Sequence, residues 1–267
     1  MTLPATIGGR AVVGSRRIAG GDINEAYRAT LDDGRDVFVK TRAGAAPGEY
    51  ATEAAALRWL AEPGALGVPE VVEAADGFLA LEWIDEGGAL DEEALGRGLA
   101  LLHAAGAERV GHVPLPPLRI GRLLLPGDPA PDWPTFYAER RLLPLAGRFP
   151  SVHRLCERIH DLAGPEEPPA RLHGDLWSGN VMASAGRPYV IDPAAYGGHR
   201  EVDLAMLRLF GSPGPRFLAA YEDVAPLAPG HEDRVELYQL FPLLVHAELF
   251  GGGYAASVER VARRYAG

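Results

Sequence analysis

The stretch His173-Gly174-Asp175-Leu176-Trp177-Ser178-Gly179-Asn180, with Ile191-Asp192 following it, decides how the rest of the chain is read. It sets a carboxylate at 175, a carboxamide at 180 and a second carboxylate at 192. Between them lie two short apolar runs, Val181-Met182 and Tyr189-Val190-Ile191, joined across Gly186-Arg187-Pro188, which read as a small hairpin. A polar turn capping a helix would account for the octapeptide alone. It would not account for a second carboxylate delivered at the end of a hairpin.

Phosphoryl transfer asks little covalent chemistry of a protein: positioning, cations to neutralise phosphate charge, and a carboxylate that orients the attacking hydroxyl and takes its proton. In loops that perform it, the base Asp stands five positions before a metal-binding Asn, the spacing of Asp175 and Asn180. Asp192 sits where a second metal ligand is expected. One amide oxygen and one carboxylate suffice for Mg2+, which fills its other positions with phosphate and water.

Upstream, residues 11 to 18 and 26 to 31 read as paired strands about Gly20-Gly21-Asp22-Ile23-Asn24, and Asp33-Gly34 as a hairpin turn leading into Val37-Phe38-Val39-Lys40. A helix over Glu49 to Glu62 stops at Pro63-Gly64, and short strands follow at 71 to 72 and 78 to 81. Tyr50, Glu53, Leu57 and Leu60 share one helix face, so Glu53 is a carboxylate on an apolar stripe that needs a partner. Lys40 is the expected one, the strand lysine that contacts nucleotide phosphates while a helix Glu holds it. Gly20 and Gly21 permit close backbone approach to phosphates, although GxGxxG is absent and a plain two-glycine turn would look the same.

After the acidic segment 85–88, a candidate hinge, the pattern turns helical. Asp91 is a candidate N-cap and Gly106 a candidate stop, a Pro-rich surface loop is expected over 114 to 134, helices over 135 to 145 and 151 to 162, and mostly helix from Glu201 onward. The expected fold class is α+β: an antiparallel-sheet lobe over 1–84, the hinge 85–88, and a larger helical lobe over 89–267. His103 reads as a core or interface histidine on an amphipathic helix.

Composition narrows the function classes. Net charge is −10, which speaks against a nucleic-acid partner, and no run approaches the roughly 18 apolar residues of a membrane span. The single Cys156 allows no internal disulfide and makes a structural zinc site improbable. The expected setting is cytoplasmic, with oligomeric state left open. Of 26 basic residues only Lys40 is lysine, and Asn24 and Asn180 are the sole asparagines. A codon bias explains the scarcity, and under it the survivors mark places where arginine would fail. Ser178 lacks the surroundings of a hydrolase nucleophile.

Together, HGDLWSGN, IDPAAYGGHREVDLAM, GGDIN, VFVK and EAAALRWL resemble the fructosamine-3-kinase (ketosamine kinase) family, within the aminoglycoside-phosphotransferase and choline-kinase-like group of the protein-kinase-like superfamily. The resemblance runs from about Ile18 to the C-terminal helices. It implies a two-lobed protein-kinase-like fold and ATP- and Mg2+-dependent phosphorylation of a sugar hydroxyl on a small amine-bearing sugar, carried by a protein or a free amino acid. By motif, Asp175 would be the base, Asn180 and Asp192 the metal ligands, and Lys40 the phosphate contact. His173 and Asp203 would brace the catalytic loop, and adenine would sit against Glu82-Trp83-Ile84. Trp177, His199, Arg200 and Glu201 would lie near the acceptor or support the loop that does. The family carries a more polar stretch around Ile120-Gly121 than Leu118-Arg119-Ile120-Gly121-Arg122-Leu123-Leu124-Leu125 here, which leaves the acceptor open among ribulosamine, fructosamine and other amine-bearing sugars. The alternatives are an aminoglycoside, choline or homoserine kinase, and a nucleotide-binding pseudokinase.

Overall fold

The computed structural model describes residues 3–18, 24–211 and 213–267. Six strands open the chain: β1 (Thr6–Ile7), β2 (Arg10–Ile18), β3 (Glu25–Leu31), β4 (Asp36–Thr41), and, after helix α1 (Glu49–Ala61), β5 (Val71–Ala75) and β6 (Phe78–Glu82). They form one antiparallel sheet in the order β1-β2-β3-β4-β6-β5. The Asp33-Gly34 turn behaves as its sequence predicts: Gly34 takes φ +84°, and its N–H donates to the Leu31 carbonyl at 2.9 Å. Strand periodicity turns Val37 and Val39 to one face, where they pack with Ile7, Ala29 and Leu31, and Phe38 and Lys40 to the other, under α1.

Helix α1 has two working faces rather than the one expected. Tyr50, Ala54 and Leu57 lie on the sheet, whereas Ala56, Trp59 and Leu60 belong to a core shared with the helical lobe. Two backbone contacts add to this join. Gly67, in the α1–β5 connection, exchanges hydrogen bonds with Pro188 and Val190 at 2.9 Å each. The segment at 85–88 is held by Gly87 N–H donating to the Ala183 carbonyl at 2.8 Å and Ser184 Oγ donating to the Asp85 carbonyl at 2.8 Å.

The helical lobe begins with α2 (Glu92–Ala104), whose N-cap Asp91 accepts from the Glu93 and Ala94 amides. The Pro-rich stretch expected to be a loop contains a hairpin, β7 (Leu118–Ile120) with β8 (Leu123–Leu125). Its strands are too short to show a period, and burial of Leu118 and Leu125 is what forms them. The helix expected over 135 to 145 is α3 (Trp133–Phe136) running into a π-helical turn over 137–142. That expected over 151 to 162 is broken into α4 (Pro150–Cys156) and α5 (Ile159–Leu162). Strand β9 (Ala170–Leu172) precedes the catalytic-type loop; β10 (Val181–Ser184) and β11 (Arg187–Val190) form the hairpin after it, and β12 (Tyr196–Gly198) returns to pair with β9. Helices α6 (Glu201–Leu207), α7 (Pro215–Val224), α8 (His231–Phe250) and α9 (Tyr254–Ala266) complete the lobe. Among the described residues no helix is long and apolar enough to cross a membrane.

Helices α2 and α7 approach so closely that a Cβ on Gly96 would lie 2.2 Å from the Phe217 carbonyl oxygen. Alanine at a helix interior normally stabilises by about 1 kcal/mol. Here the overlap with rigid backbone outweighs that gain, and Gly96→Ala should destabilise by about 1–3 kcal/mol. Thermal denaturation checks this: a midpoint equal to or above that of the parent protein would contradict the close approach.

Candidate active site

Strand β4 delivers Lys40 into the interior beside α1, where its ammonium lies 2.5 Å from Glu53 Oε1 and 2.9 Å from Asp192 Oδ1. Burial alone would favour the neutral amine, but the two carboxylates outweigh it and hold Lys40 protonated. The ammonium in turn keeps Asp192 below the usual carboxylate range, against its burial. Burial pushes the Glu53 carboxyl up, and the ammonium offsets part of that rise. Asp192 has φ +53°, a left-handed conformation that aspartate tolerates better than most residues.

The loop leaving β9 is built around the buried Asp203 at the start of α6. Its carboxylate accepts from the His173 amide at 2.7 Å and the Gly174 amide at 2.9 Å, and lies 3.2 Å from His103 Nε2. These donors overcome burial and keep Asp203 ionised below its ordinary range. His103 Nδ1 is 2.7 Å from the Tyr221 hydroxyl, so α2 and α7 both contribute to the frame. His173 donates from Nε2 to the Ile191 carbonyl at 2.9 Å, leaving Nδ1 to accept the Asp175 amide at 3.3 Å; burial keeps this imidazole neutral. Gly174 has φ +81°, and a Cβ there would lie 2.0 Å from the Ala194 carbonyl oxygen, so no larger residue fits.

Asp175 follows directly. The Asn180 amide group donates to the Asp175 carbonyl at 2.8 Å and to Oδ2 at 3.3 Å, which fixes the amide orientation and leaves Asn180 Oδ1 for another partner. Burial, then the charge of Asp192, pushes the Asp175 carboxyl up to about 6, with the Asn180 hydrogen bond opposing.

These groups share one cleft of about 670 Å3 between the sheet lobe and the helical lobe, and Asn24, Lys40, Glu53, Asp175, Asn180 and Asp192 all line it. Asn24 Oδ1 accepts from the Tyr50 hydroxyl at 3.1 Å. Toward its mouth the wall becomes aromatic. Trp177 contacts Phe210 with ring centroids 5.9 Å apart, Phe210 contacts His246 at 5.1 Å, and His246 contacts Tyr254 at 5.0 Å. The β7–β8 hairpin supplies Leu118 through Gly121 to the same cleft.

Three residues expected near the acceptor, or supporting the loop that is, do not line the cleft. His199 is stacked on Tyr238 at 5.4 Å, Arg200 forms a bidentate pair with Glu167 at 2.7 and 2.8 Å, and Glu201 pairs with Arg234 at 2.8 and 2.6 Å. Arg200 and Glu201 are paired inside the lobe, His199 accepts the Glu201 amide at Nδ1, and none of the three is part of the cleft wall. Glu82, Trp83 and Ile84 also stand outside the cleft lining; Trp83 donates to Asp85 at 2.9 Å and lies under the Arg28 guanidinium. Gly20 and Gly21 lie outside the described residues. The sequence reading placed His103 in the core without its tie to Asp203, and it missed Phe210, His246 and Tyr254. No local pattern links those aromatics, spread from 210 to 254, to the loop at 173–180.

Comparison with known proteins identifies a family and a fold. The sequence profile described as fructosamine kinase matches residues 4–266. A "probable ketoamine kinase" of Thermus thermophilus is 38% identical over 245 residues, covering 90% of each chain. A chloroplastic protein-ribulosamine 3-kinase of Oryza sativa subsp. indica is 34% identical over 272 residues, covering 95% of this chain and 79% of that one. The crystal structure of a Thermobifida fusca protein assigned as a fructosamine-3-kinase superimposes with a TM-score of 0.90 at 42% identity, covering 97% and 95% of the two chains. A macrolide 2'-phosphotransferase of Brachybacterium faecium shares the fold alone, at TM-score 0.65 and 17% identity over 95% and 94% of the chains. The two-lobed architecture is thus the protein-kinase-like one. The chain belongs to the fructosamine kinase family and is a phosphotransferase acting on a hydroxyl.

Proposed function

We propose that this enzyme transfers the γ-phosphoryl group of ATP to a sugar hydroxyl of a ketosamine, with Asp175 as the base. The observation that carries the reading is the meeting of Lys40, Glu53, Asp175, Asn180 and Asp192 on one cleft, from elements far apart in sequence. Lys40, fixed by Glu53, presents a point charge to the nucleotide phosphates. Asp175, held by Asn180 and by the loop that Asp203 braces, orients the acceptor hydroxyl. As the new O–P bond forms and the bond to the β-phosphate oxygen breaks, the hydroxyl proton passes to Asp175 and ADP leaves. Residues 1–84 act as the nucleotide lobe, 85–88 as the hinge, and 89–267 as the acceptor lobe.

The donor set suits Mg2+. Asn180 Oδ1 and the Asp192 carboxylate are hard oxygens on the cleft, and among the described residues no group of three or more His, Cys, Asp or Glu could hold an ion alone. An ion there would depend on nucleotide phosphate and water for its other ligands and would supply charge neutralisation of the phosphates.

Asp175→Ala should lower kcat by about 10²–10⁴ in an ADP-release assay with Mg-ATP and fructose-lysine or ribulose-lysine, with nucleotide affinity retained. Full activity in that variant would exclude Asp175 as the base. Lys40→Arg keeps the charge but replaces a compact ammonium by a planar fork, and should cut turnover at least tenfold; parent-like turnover would show that charge alone suffices. Removal of divalent cations with a chelator should abolish turnover, and added Mg2+ should restore it. Turnover persisting in excess chelator would reject the metal assignment to Asn180 and Asp192.

A further inference from the structure

The β7–β8 hairpin is the part of the cleft wall that phosphoryl transfer leaves without a task. Arg122 at its turn donates to the Glu248 and Leu249 carbonyls near the end of α8, at 3.5 and 3.2 Å, and Leu118 and Leu125 are buried. Between them on β7, Arg119 lines the cleft and is only part-buried.

The other charged side chains of the cleft are committed. Lys40 is held by Glu53 and Asp192, Glu49 by Arg42 at 2.7 and 2.6 Å, and Asp175 by Asn180. Among the described residues Arg119 has no carboxylate or carbonyl partner, and its Nε is closed off from solvent with nothing to accept the proton. An arginine on an open surface gives its donors to water. The rest of the Arg119 guanidinium, part-exposed on a ligand cleft and without a protein partner among the described residues, is open to an arriving acceptor. The guanidinium fork matches a carboxylate or a phosphate with two parallel hydrogen bonds.

We propose that Arg119 recognises an anionic group of the acceptor, so that this enzyme acts on ketosamines bearing an oxyanion: a carboxylate on the amine half, as in a sugar adduct of a free amino acid, or a phosphate on the sugar half. The inference rests on the kinase reading above and specifies its substrate. Trp177, Phe210 and Tyr254 line the same cleft and offer ring surfaces for the uncharged body of the acceptor. His246 donates from Nδ1 to the Pro242 carbonyl at 2.7 Å, which leaves Nε2 as an acceptor for an amine or hydroxyl there.

The test compares kcat/KM, by ADP release with Mg-ATP, for four acceptors with one ketosamine core. These are a neutral N-alkyl ketosamine, its analogue with a carboxylate on the amine half, the corresponding carboxamide, and the neutral compound phosphorylated on its sugar. The carboxylate or the phosphate compound should be preferred over the neutral ones by about 10–100-fold, mainly through KM. Arg119→Ala should bring that ratio close to one, and Arg119→Gln, which keeps side-chain length, should do the same if the alanine variant does not fold. A carboxylate preference places the anion on the amine half, and a phosphate preference places it on the sugar half. Equal use of all four acceptors, or a preference that survives loss of Arg119, overturns the anion subsite while leaving the kinase reading intact. Silence with all four in the parent protein overturns both.

Discussion

A single buried ammonium sets the geometry of the cleft. Lys40 cannot remain charged in the interior without counter-charges, and its two come from different places: Glu53 from the middle of α1 and Asp192 from the end of the β10–β11 hairpin. The pairing therefore fixes the sheet, the helix and the helical lobe relative to one another. It also explains why the one lysine of the chain stands here. A guanidinium is larger and planar, and would not sit between two carboxylates at 2.5 and 2.9 Å as a compact ammonium does.

The helical lobe solves a similar problem around Asp203. A fully buried carboxylate needs donors, and it takes them from two consecutive loop amides and from His103. Meeting that demand is what holds Asp175 in place, through a loop whose one left-handed position is Gly174. The line from Tyr221 through His103 to Asp203 carries the requirement into the α2–α7 packing, where Gly96 permits close approach. Positions distant from the cleft are thus coupled to the orientation of its central carboxylate.

The reading of the sequence was strongest where chemistry is local. The Asp33-Gly34 turn, the Asp91 cap and the hairpin between Asn180 and Asp192 each depend on a few adjacent residues, and the structure shows all three, with the last turn shifted to Ala185-Gly186. Weaker readings came where a residue's partner is remote. Glu53, assigned to an apolar stripe with Leu57 and Leu60, sits on a helix whose apolar residues divide between two cores. Arg200 and Glu201, expected near the acceptor or behind its loop, are tied to Glu167 and Arg234 inside the lobe. The β7–β8 strands, three residues each, lie below the length at which alternation is visible.

The sequence by itself determined the order of parts, an antiparallel sheet with one helix and then a helical lobe, and the identity of the residues carrying charge and carboxamide at 40, 53, 175, 180 and 192. Those follow from side-chain chemistry and short-range backbone preference, which act over a few residues. Only the tertiary structure decided which polar groups spend their bonds on one another and which are left facing the cleft. Arg119 and Arg200 are the same residue type and neither carries a local signal. One is closed by Glu167, and the other reaches the cleft without a partner among the described residues, because burial and pairing are properties of the packed chain.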